Sequence, residues 1–262
     1  MNARVTAEIE LQVDTEADVV LSIAAASGWP TRERLVVTGS AGDVAATEHE
    51  DHHGGRLHRA HLPVGSVRIF YEAETAAPTA PAPTDDLDSV RYLRPSRYVP
   101  FDALTTIPDI DATSDREVVA RVPKWVFENL SYVSGSSGPA DTAADTLTRG
   151  EGVCRDYAHV TIALLRAAGV PARLVSVYAP GLEPMDFHAV VEAFVDGRWE
   201  VVDATRLAPR THYVRIATGR DAADTAFLTT LSGAVSLSSV EVSAVATEPF
   251  VTDDHTGTVL LK

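Results

Sequence analysis

Apolar and polar residues alternate in the first part of the chain. From position 5 to position 13 every second residue is apolar and the residues between are polar, which predicts a strand with one buried face. Similar runs occur at 19–25, 34–38 and 64–74, and Gly and Pro residues separate them as turns. We therefore expect residues 1–75 to form a small antiparallel β sandwich or sheet.

A segment rich in proline and alanine follows. Residues 76–88 contain Pro78, Pro81 and Pro83 among small residues, a composition that favours an extended chain and packs no core. This segment predicts a linker, with a β domain at 1–75 before it and a larger domain at 89–262 after it.

The period of the apolar residues changes after the linker. Ser114 followed by Glu117 has the spacing of a capping box, which predicts a helix that runs to about Leu130. A second helix is predicted to begin near Gly152, because apolar residues then recur every three or four positions until the stop signal at Pro171.

Strand patterns return after the second helix. They lie at 173–178, 187–195, 199–203, 213–217 and 234–262. Helices followed by antiparallel strands predict an α+β fold for the larger domain, and we assign the strands at 234–262 to that domain.

The charge and the terminal residues narrow the classes of function. The chain has 22 Lys and Arg against 37 Asp and Glu, and a formal net charge of −15 repels nucleic acids and anionic bilayers. No apolar run approaches the roughly 20 residues that cross a bilayer, and the first residues do not resemble a secretory signal. We expect a cytoplasmic protein with no nucleic-acid partner and no membrane partner, and the oligomeric state stays open.

The chain has one cysteine, Cys154, which can form neither an internal disulfide nor a thiolate-rich zinc site. It lies in the first turn of the second predicted helix, after Gly150 and Gly152, which let the backbone bend and a substrate approach. The free N–H groups and the positive dipole end of a helix start favour a thiolate and can bind an oxyanion. A buried structural thiol is the alternative interpretation.

A nucleophilic cysteine needs a base and a group that orients the base. His188 begins one predicted strand and Asp203 ends the next, with the hairpin signal Asp196-Gly197 between them. Folding the two strands about this turn brings His188 and Asp203 to within about two residues of direct register, where cross-strand neighbours touch. By contrast His159 lies about 140° around the helix from Cys154, so we expect it to pack or hydrogen-bond elsewhere.

Four blocks of the sequence resemble a known family. They are RGEGVCRDYAH at 149–159, GVPARLV at 169–175, DFHAVVE at 186–192 and WEVVDAT at 199–205. In this order they are similar to the bacterial transglutaminase-like superfamily, and the resemblance extends over about 90–225. Many members have Trp at the position of Val190 and Pro at that of Ala204, which leaves the pocket wall and the substrate open.

The resemblance implies a fold and a set of catalytic residues. The fold is a papain-like α+β core, in which a helix bearing the cysteine packs on an antiparallel sheet, preceded by a small β domain. Cys154 would be the nucleophile, His188 the base and later the acid, and Asp203 the residue that orients His188. This triad needs no cofactor and no metal.

The implied reaction is acyl transfer to or from an amide through a thioester. We favour a peptidase or amidase that hydrolyses a peptide or amide substrate, because water is the default acceptor unless an enzyme excludes it. A transglutaminase, which transfers the side-chain acyl group of a protein glutamine to an amine, is the first alternative. A non-catalytic member that binds a peptide in the cleft is the second.

Five of the nine histidines lie between positions 49 and 61. Imidazole and carboxylate groups suit zinc or nickel, so a metal-binding β domain that regulates the rest is conceivable. The spacing fits no defined metal motif, and Gly54-Gly55 indicates the tip of a hairpin. We therefore expect a solvated turn.

Overall fold

The structure, a computed structural model, describes residues 2–79, 84–104 and 107–261. Strands fill the first part of the chain: β1 (Asn2–Thr15), β2 (Ala17–Leu21), β3 (Pro30–Gly39), β4 (Gly42–Val44), β5 (Ala46–Glu50), β6 (Arg56–Leu62) and β7 (Gly65–Ala76). Residues 80–83 of the predicted linker lie outside the described residues.

Helices occupy the middle of the chain and strands return after them. The middle elements are α1 (Asp88–Arg91), α2 (Asp115–Asn129), β8 (Ser131–Tyr132), α3 (Ala143–Arg149), β9 (Glu151–Gly152) and α4 (Cys154–Ala167). The last elements are β10 (Ala172–Tyr178), β11 (Phe187–Val195), β12 (Arg198–Val202), β13 (Val214–Gly219), α5 (Ala222–Thr225), β14 (Leu228–Thr230) and β15 (Ala234–Ala246). The predicted α+β class is confirmed.

Two of the sheets form a β sandwich. One has the strand order β15-β1-β7-β3-β4 and the other β14-β2-β6-β5. The apolar face predicted for β1 is confirmed, since its members are buried in a shared core with residues of β2, β6 and β7. Those members are Val5, Ala7, Ile9, Leu11 and Val13.

The strands β14 and β15 pair with strands of this sandwich, although we assigned 234–262 to the larger domain, and that domain division stays a prediction. Residues 247–261 form no strand and instead contact Val201 and Arg210. β15 runs antiparallel to β1 from Ala3 opposite Ala246 to Thr15 opposite Ala234, and β14 pairs with β2. Without β15 the long strand β1 would leave one edge of backbone N–H and C=O groups unpaired. Periodicity indicates which face of a strand is buried but not its partner, so the sequence pattern could not reveal this pairing.

A four-stranded antiparallel sheet, with the order β12-β11-β10-β13, lies between α4 and the sandwich. Alternate residues of its strands enter two different cores. Leu174 and Val191 pack with α4, whereas Val175 and Val190 pack with the sandwich. The boundary at residue 75 stays a prediction, but the sandwich and the sheet share one continuous core.

A buried network of charges crosses the centre of this sheet. The Glu192 carboxylate lies 2.7 Å from the guanidinium groups of both Arg173 and Arg215, and all three side chains are almost fully buried. Burial would raise the pKa of Glu192, but the two guanidinium groups lower it to about 2. The network extends to buried Asp88, at the end of the predicted linker, which lies 3.6 Å from Arg173.

The histidine-rich segment docks on the rest of the protein. The His53 side chain is 5% exposed and lies 3.6 Å from Asp88 and 2.9 Å from the hydroxyl of Tyr92. His58 is also buried, 3.1 Å from Glu48. The prediction of a solvated turn is therefore wrong for these two residues. Within the described residues no group of three or more His, Cys, Asp or Glu side chains is arranged to hold a metal ion.

In the described ranges, no helix combines the length and the apolar composition that a bilayer crossing requires.

Gly233 lies between β14 and β15, and a substitution there tests how tightly these strands are packed. Its φ is +84°, and a Cβ there would clash with the carbonyl oxygen of Glu16 and lie 2.7 Å from the Cα of Ala17. We expect Gly233→Ala to lower the free energy of unfolding by about 3 kcal/mol, because overpacking adds to the strain of a left-handed backbone. Urea denaturation followed by tryptophan fluorescence measures this change.

The matched control is Gly135→Ala. Gly135 has a similar φ of +77°, but no atom lies within 4 Å of the added Cβ. This variant should lose only about 1 kcal/mol from backbone strain. Equal losses in the two variants would contradict the packing of the β14–β15 connection described here.

Candidate active site

Cys154 is the first residue of α4 and is partly exposed. The buried carboxylate of Asp156 accepts the backbone N–H of Val153 at 2.8 Å and closes the first turn of the helix. A Cβ on Gly152 would lie 2.5 Å from the Cβ of Asp156. The glycine two positions before the cysteine is therefore required by the helix start itself, a reason different from the substrate access that we expected.

Two short parallel strands hold the segment that precedes Cys154. In the β8–β9 pair Tyr132 lies opposite Gly152, and the N–H of Val133 donates to the carbonyl of Gly152 at 3.0 Å. The ring of Tyr132 lies 5.8 Å from the ring of Tyr157, which is three residues along α4 from Cys154. This pairing brings the Tyr132 side chain to the first turn of α4.

The Tyr132 hydroxyl lies beside Cys154, whose backbone and side chain both contribute to the pKa of Tyr132. Burial and the neighbouring thiol raise the pKa of Tyr132 above its ordinary value. The hydroxyl therefore keeps its proton at neutral pH and remains a hydrogen-bond donor beside the cysteine. No local sequence pattern indicates this position, because Tyr132 lies 22 positions before Cys154 and approaches it through the β8–β9 pair.

His188 and Asp203 meet at the open end of the β11–β12 hairpin. Asp196 and Gly197 form its turn with φ values of +51° and +76°, the sign that a two-residue type I′ turn requires. The Nε2 atom of His188 lies 2.9 Å from Oδ2 of Asp203, and both side chains are 1% exposed. The proximity predicted from the turn is observed, and the roles of the two residues in catalysis stay a prediction.

Two further residues complete the hydrogen bonds of the Asp203 carboxylate. The Tyr213 hydroxyl donates to Oδ2 at 2.6 Å, and the hydroxyl and N–H of Thr205 donate to Oδ1 at 2.7 and 2.8 Å. Burial would raise the pKa of Asp203, but His188, Tyr213 and Thr205 hold it well below its usual range. Sequence reasoning missed both donors, although a threonine two positions after an aspartate is a known local turn pattern.

The ionisation of His188 follows from its two neighbours. Burial would lower the pKa of His188, but the Asp203 carboxylate and Cys154 raise it to about 10. Nε2 is occupied by Asp203, and Nδ1 has no fixed hydrogen-bond partner among the described residues. Nδ1 is therefore the ring nitrogen available to the thiol, and the three groups form the series thiol, imidazole, carboxylate.

His159 has a different environment. Its ring stacks on Tyr98 with centroids 5.3 Å apart, and its Nε2 accepts the N–H of Ala222 at 3.2 Å. Burial lowers the pKa of His159 to about 4 and keeps the ring neutral. The prediction that it packs and hydrogen-bonds apart from the thiol is confirmed.

Cys154 and His188 open into a cleft of about 570 Å³. Its walls come from β10, β11 and β13 of the central sheet and from β14 and β15 of the sandwich. Val190 and Ala204, where the sequence departs from many family members, are buried in the two cores and do not line this cleft.

Comparison with known proteins gives the following likenesses. A family model for the transglutaminase-like superfamily matches residues 105–204. The crystal structure of a candidate cysteine protease from Cytophaga hutchinsonii is 30% identical, with a TM-score of 0.84, over 100% of this chain and 98% of that one. An uncharacterized protein of Mycobacterium leprae is 28% identical over 156 residues. The match covers 54% of each chain, so this chain spans about half the length of that curated relative.

Asp203→Asn tests the cause of the raised pKa of His188. The variant removes the carboxylate charge, burial then dominates, and we expect the ring to lose its proton at a much lower pH than in the unchanged protein. NMR titration of isotope-labelled histidine measures this shift directly. The control Asp186→Asn removes a nearby carboxylate that interacts with His188 only through its charge, and should shift the titration in the same direction but far less. The same His188 titration in all three proteins would refute the assigned cause.

Proposed function

Since the chain belongs to the transglutaminase-like superfamily, we propose that it is a cysteine-dependent acyl-transfer enzyme that hydrolyses amide bonds of peptide or amide substrates. In this proposal Cys154 is the nucleophile, His188 is the acid and base, and Asp203 orients His188. The supporting observation is the His188 ring, held 2.9 Å from the Asp203 carboxylate and next to a thiol at a helix start that opens into a cleft.

The proposed reaction proceeds through a thioester. The Cys154 thiolate attacks the amide carbon, and the carbonyl electron pair moves to oxygen. When the C–N bond breaks, protonated His188 donates its proton to the leaving amine. Water then attacks the thioester carbon and gives a proton to His188, which becomes an imidazolium again. The C–S bond breaks, so that the acid product leaves and the Cys154 thiolate is restored.

The ionisation of the buried pair supports this sequence of steps. The pKa of Asp203 is lowered and that of His188 is raised, so the carboxylate stays negative and the imidazole holds a proton for the leaving group. A positive imidazole also stabilises the thiolate of Cys154.

The developing oxyanion needs hydrogen-bond donors. The backbone N–H of Cys154 belongs to the first turn of α4, where the helix itself supplies no acceptor. The Tyr132 hydroxyl lies beside this N–H group and keeps its own proton. We assign the Cys154 N–H and the Tyr132 hydroxyl as the two oxyanion donors of the proposed reaction.

Water, not an amine, is our proposed acyl acceptor. Cys154 is partly exposed and the adjacent Tyr132 is 43% exposed, so solvent reaches the position of the thioester. An enzyme that transfers the acyl group to an amine must exclude water from this position.

The proposal is tested by trapping the acyl group on Cys154. After incubation with a peptide-amide library, intact-mass spectrometry should detect an adduct that hydroxylamine removes. Cys154→Ala should lose the adduct and all turnover while keeping the melting temperature. Added primary amine should compete poorly with water, and efficient amine incorporation would indicate a transglutaminase instead. Peptide binding with neither adduct nor turnover would contradict the proposal and favour the non-catalytic alternative.

Tyr132→Phe tests the oxyanion assignment. Loss of one oxyanion donor should lower kcat by about 10²-fold or more, with KM little changed. The rate of Cys154 alkylation by iodoacetamide should change much less than kcat, since His188, which ionises the thiol, is intact. The control Tyr98→Phe removes a hydroxyl from the same cleft and should keep kcat. If kcat and the alkylation rate fall by the same factor, the substitution has disturbed the thiol in general, which would contradict the assignment of Tyr132 as an oxyanion donor.

A further inference from the structure

We propose that the β sandwich supplies the specificity wall of the cleft, and that this wall binds a large aliphatic or aromatic side chain of the acyl donor. The substrates would then carry an apolar residue beside the carbonyl that is attacked. This inference rests on the proposed function, because it takes Cys154 as the nucleophile.

The cleft beyond Cys154 and His188 is predominantly apolar. Phe187, the neighbour of His188, stacks on Phe227 with ring centroids 5.5 Å apart and planes 20° from parallel. Aliphatic side chains from the sheet and the sandwich surround this pair of rings. They are Leu174, Ile216, Leu228, Leu237 and Val240.

A β-bulge in β15 shapes the sandwich side of the cleft. Glu10 of β1 lies opposite Ser239, and the next residue, Leu11, lies opposite Leu237, so Ser238 is an extra residue in β15. Residues three positions apart in a regular strand point to opposite faces. The bulge brings Leu237 and Val240 to the same face, and both line the cleft.

The Leu237 side chain is only half covered. Its partner Leu11 is 1% exposed, whereas Leu237 is 50% exposed, although paired residues share one face of the sheet. An apolar group of a substrate placed against Leu237 would remove this surface from water. Such burial is favourable in proportion to the apolar area covered.

The charged residues Arg155 and Asp186 of the cleft are less suited to bind a charged substrate side chain than the aliphatic residues are to bind an apolar one. The Arg155 guanidinium already donates to the carbonyl of Gly138 at 2.8 Å and to Ser137 at 3.2 Å. The Asp186 carboxylate already accepts the N–H of Phe187 at 2.7 Å. A charged substrate group against Leu237 would therefore lose its water without gaining a partner.

The test uses peptide amides that differ only in the residue on the acyl side of the scissile bond: Ala, Leu, Phe, Asp or Lys. For the unchanged protein we expect kcat/KM with Leu or Phe to exceed that with Ala by about 10- to 100-fold. Leu237→Asp should remove most of this preference, and the milder Leu237→Ala should reduce it. Leu231→Asp is the matched control, because Leu231 is similarly exposed but does not line the cleft.

Binding to Cys154→Ala separates this inference from the proposed chemistry. Fluorescence anisotropy with the same peptides should show tighter binding of Leu and Phe peptides, and adding Leu237→Asp should weaken it by 10-fold or more. If Cys154→Ala binds the Leu and Phe peptides selectively but the unchanged protein shows no turnover, the apolar wall is supported and the acyl-transfer function is refuted. Three results would refute the apolar wall and leave the proposed function intact. They are turnover with no preference for apolar residues, a preference for Asp or Lys, and a preference for Leu that persists in Leu237→Asp.

Discussion

The central sheet β10–β13 is buried on both faces, and the arrangement of the other layers follows from this constraint. Its alternate side chains need two apolar partners, which are α4 on one side and the β sandwich on the other. The helix carries Cys154 to one wall of the cleft, the hairpin of the sheet carries His188, and the sandwich closes the opposite wall. Apolar burial has no chemical specificity of its own. It nevertheless sets the distances between Cys154, His188 and the opposite wall of the cleft, and the chemistry of these groups depends on those distances.

Charges buried in this interior persist because each lies against an opposite charge. Glu192 lies between two guanidinium groups, and the Asp203 carboxylate accepts from a tyrosine, a threonine and His188. A buried ion that lost one such partner would cost several kcal/mol. In both cases the partners come from strands of this sheet or from residues next to its strands, so the geometry of the sheet also fixes the ionisation of its polar groups.

The features that the sequence revealed are those encoded within one element or one turn. The apolar face of β1, the start of α4 at Cys154 and the meeting of His188 with Asp203 each depend on residues at most 15 positions apart. The pairing of β15 with β1 and the wall formed by Leu237 depend on partners more than 200 positions apart, about which periodicity carries no information. Tyr132 and Tyr213 are closer in sequence to Cys154 and Asp203, but neither shares an element or a turn with its partner, so each reaches the site only through tertiary packing.

The discontinuous sandwich has a consequence for how the cleft is made. β1 is synthesised first but gains its second edge partner only from β15, and the same C-terminal segment carries the residues that face Cys154. The segments before and after the predicted linker at 76–88 therefore contribute strands to the same sandwich. A chain cut there would divide the continuous core and remove the neighbours of β14 and β15. The sandwich is in this sense part of the cleft, because β14 and β15, which line it, pair with β2 and β1.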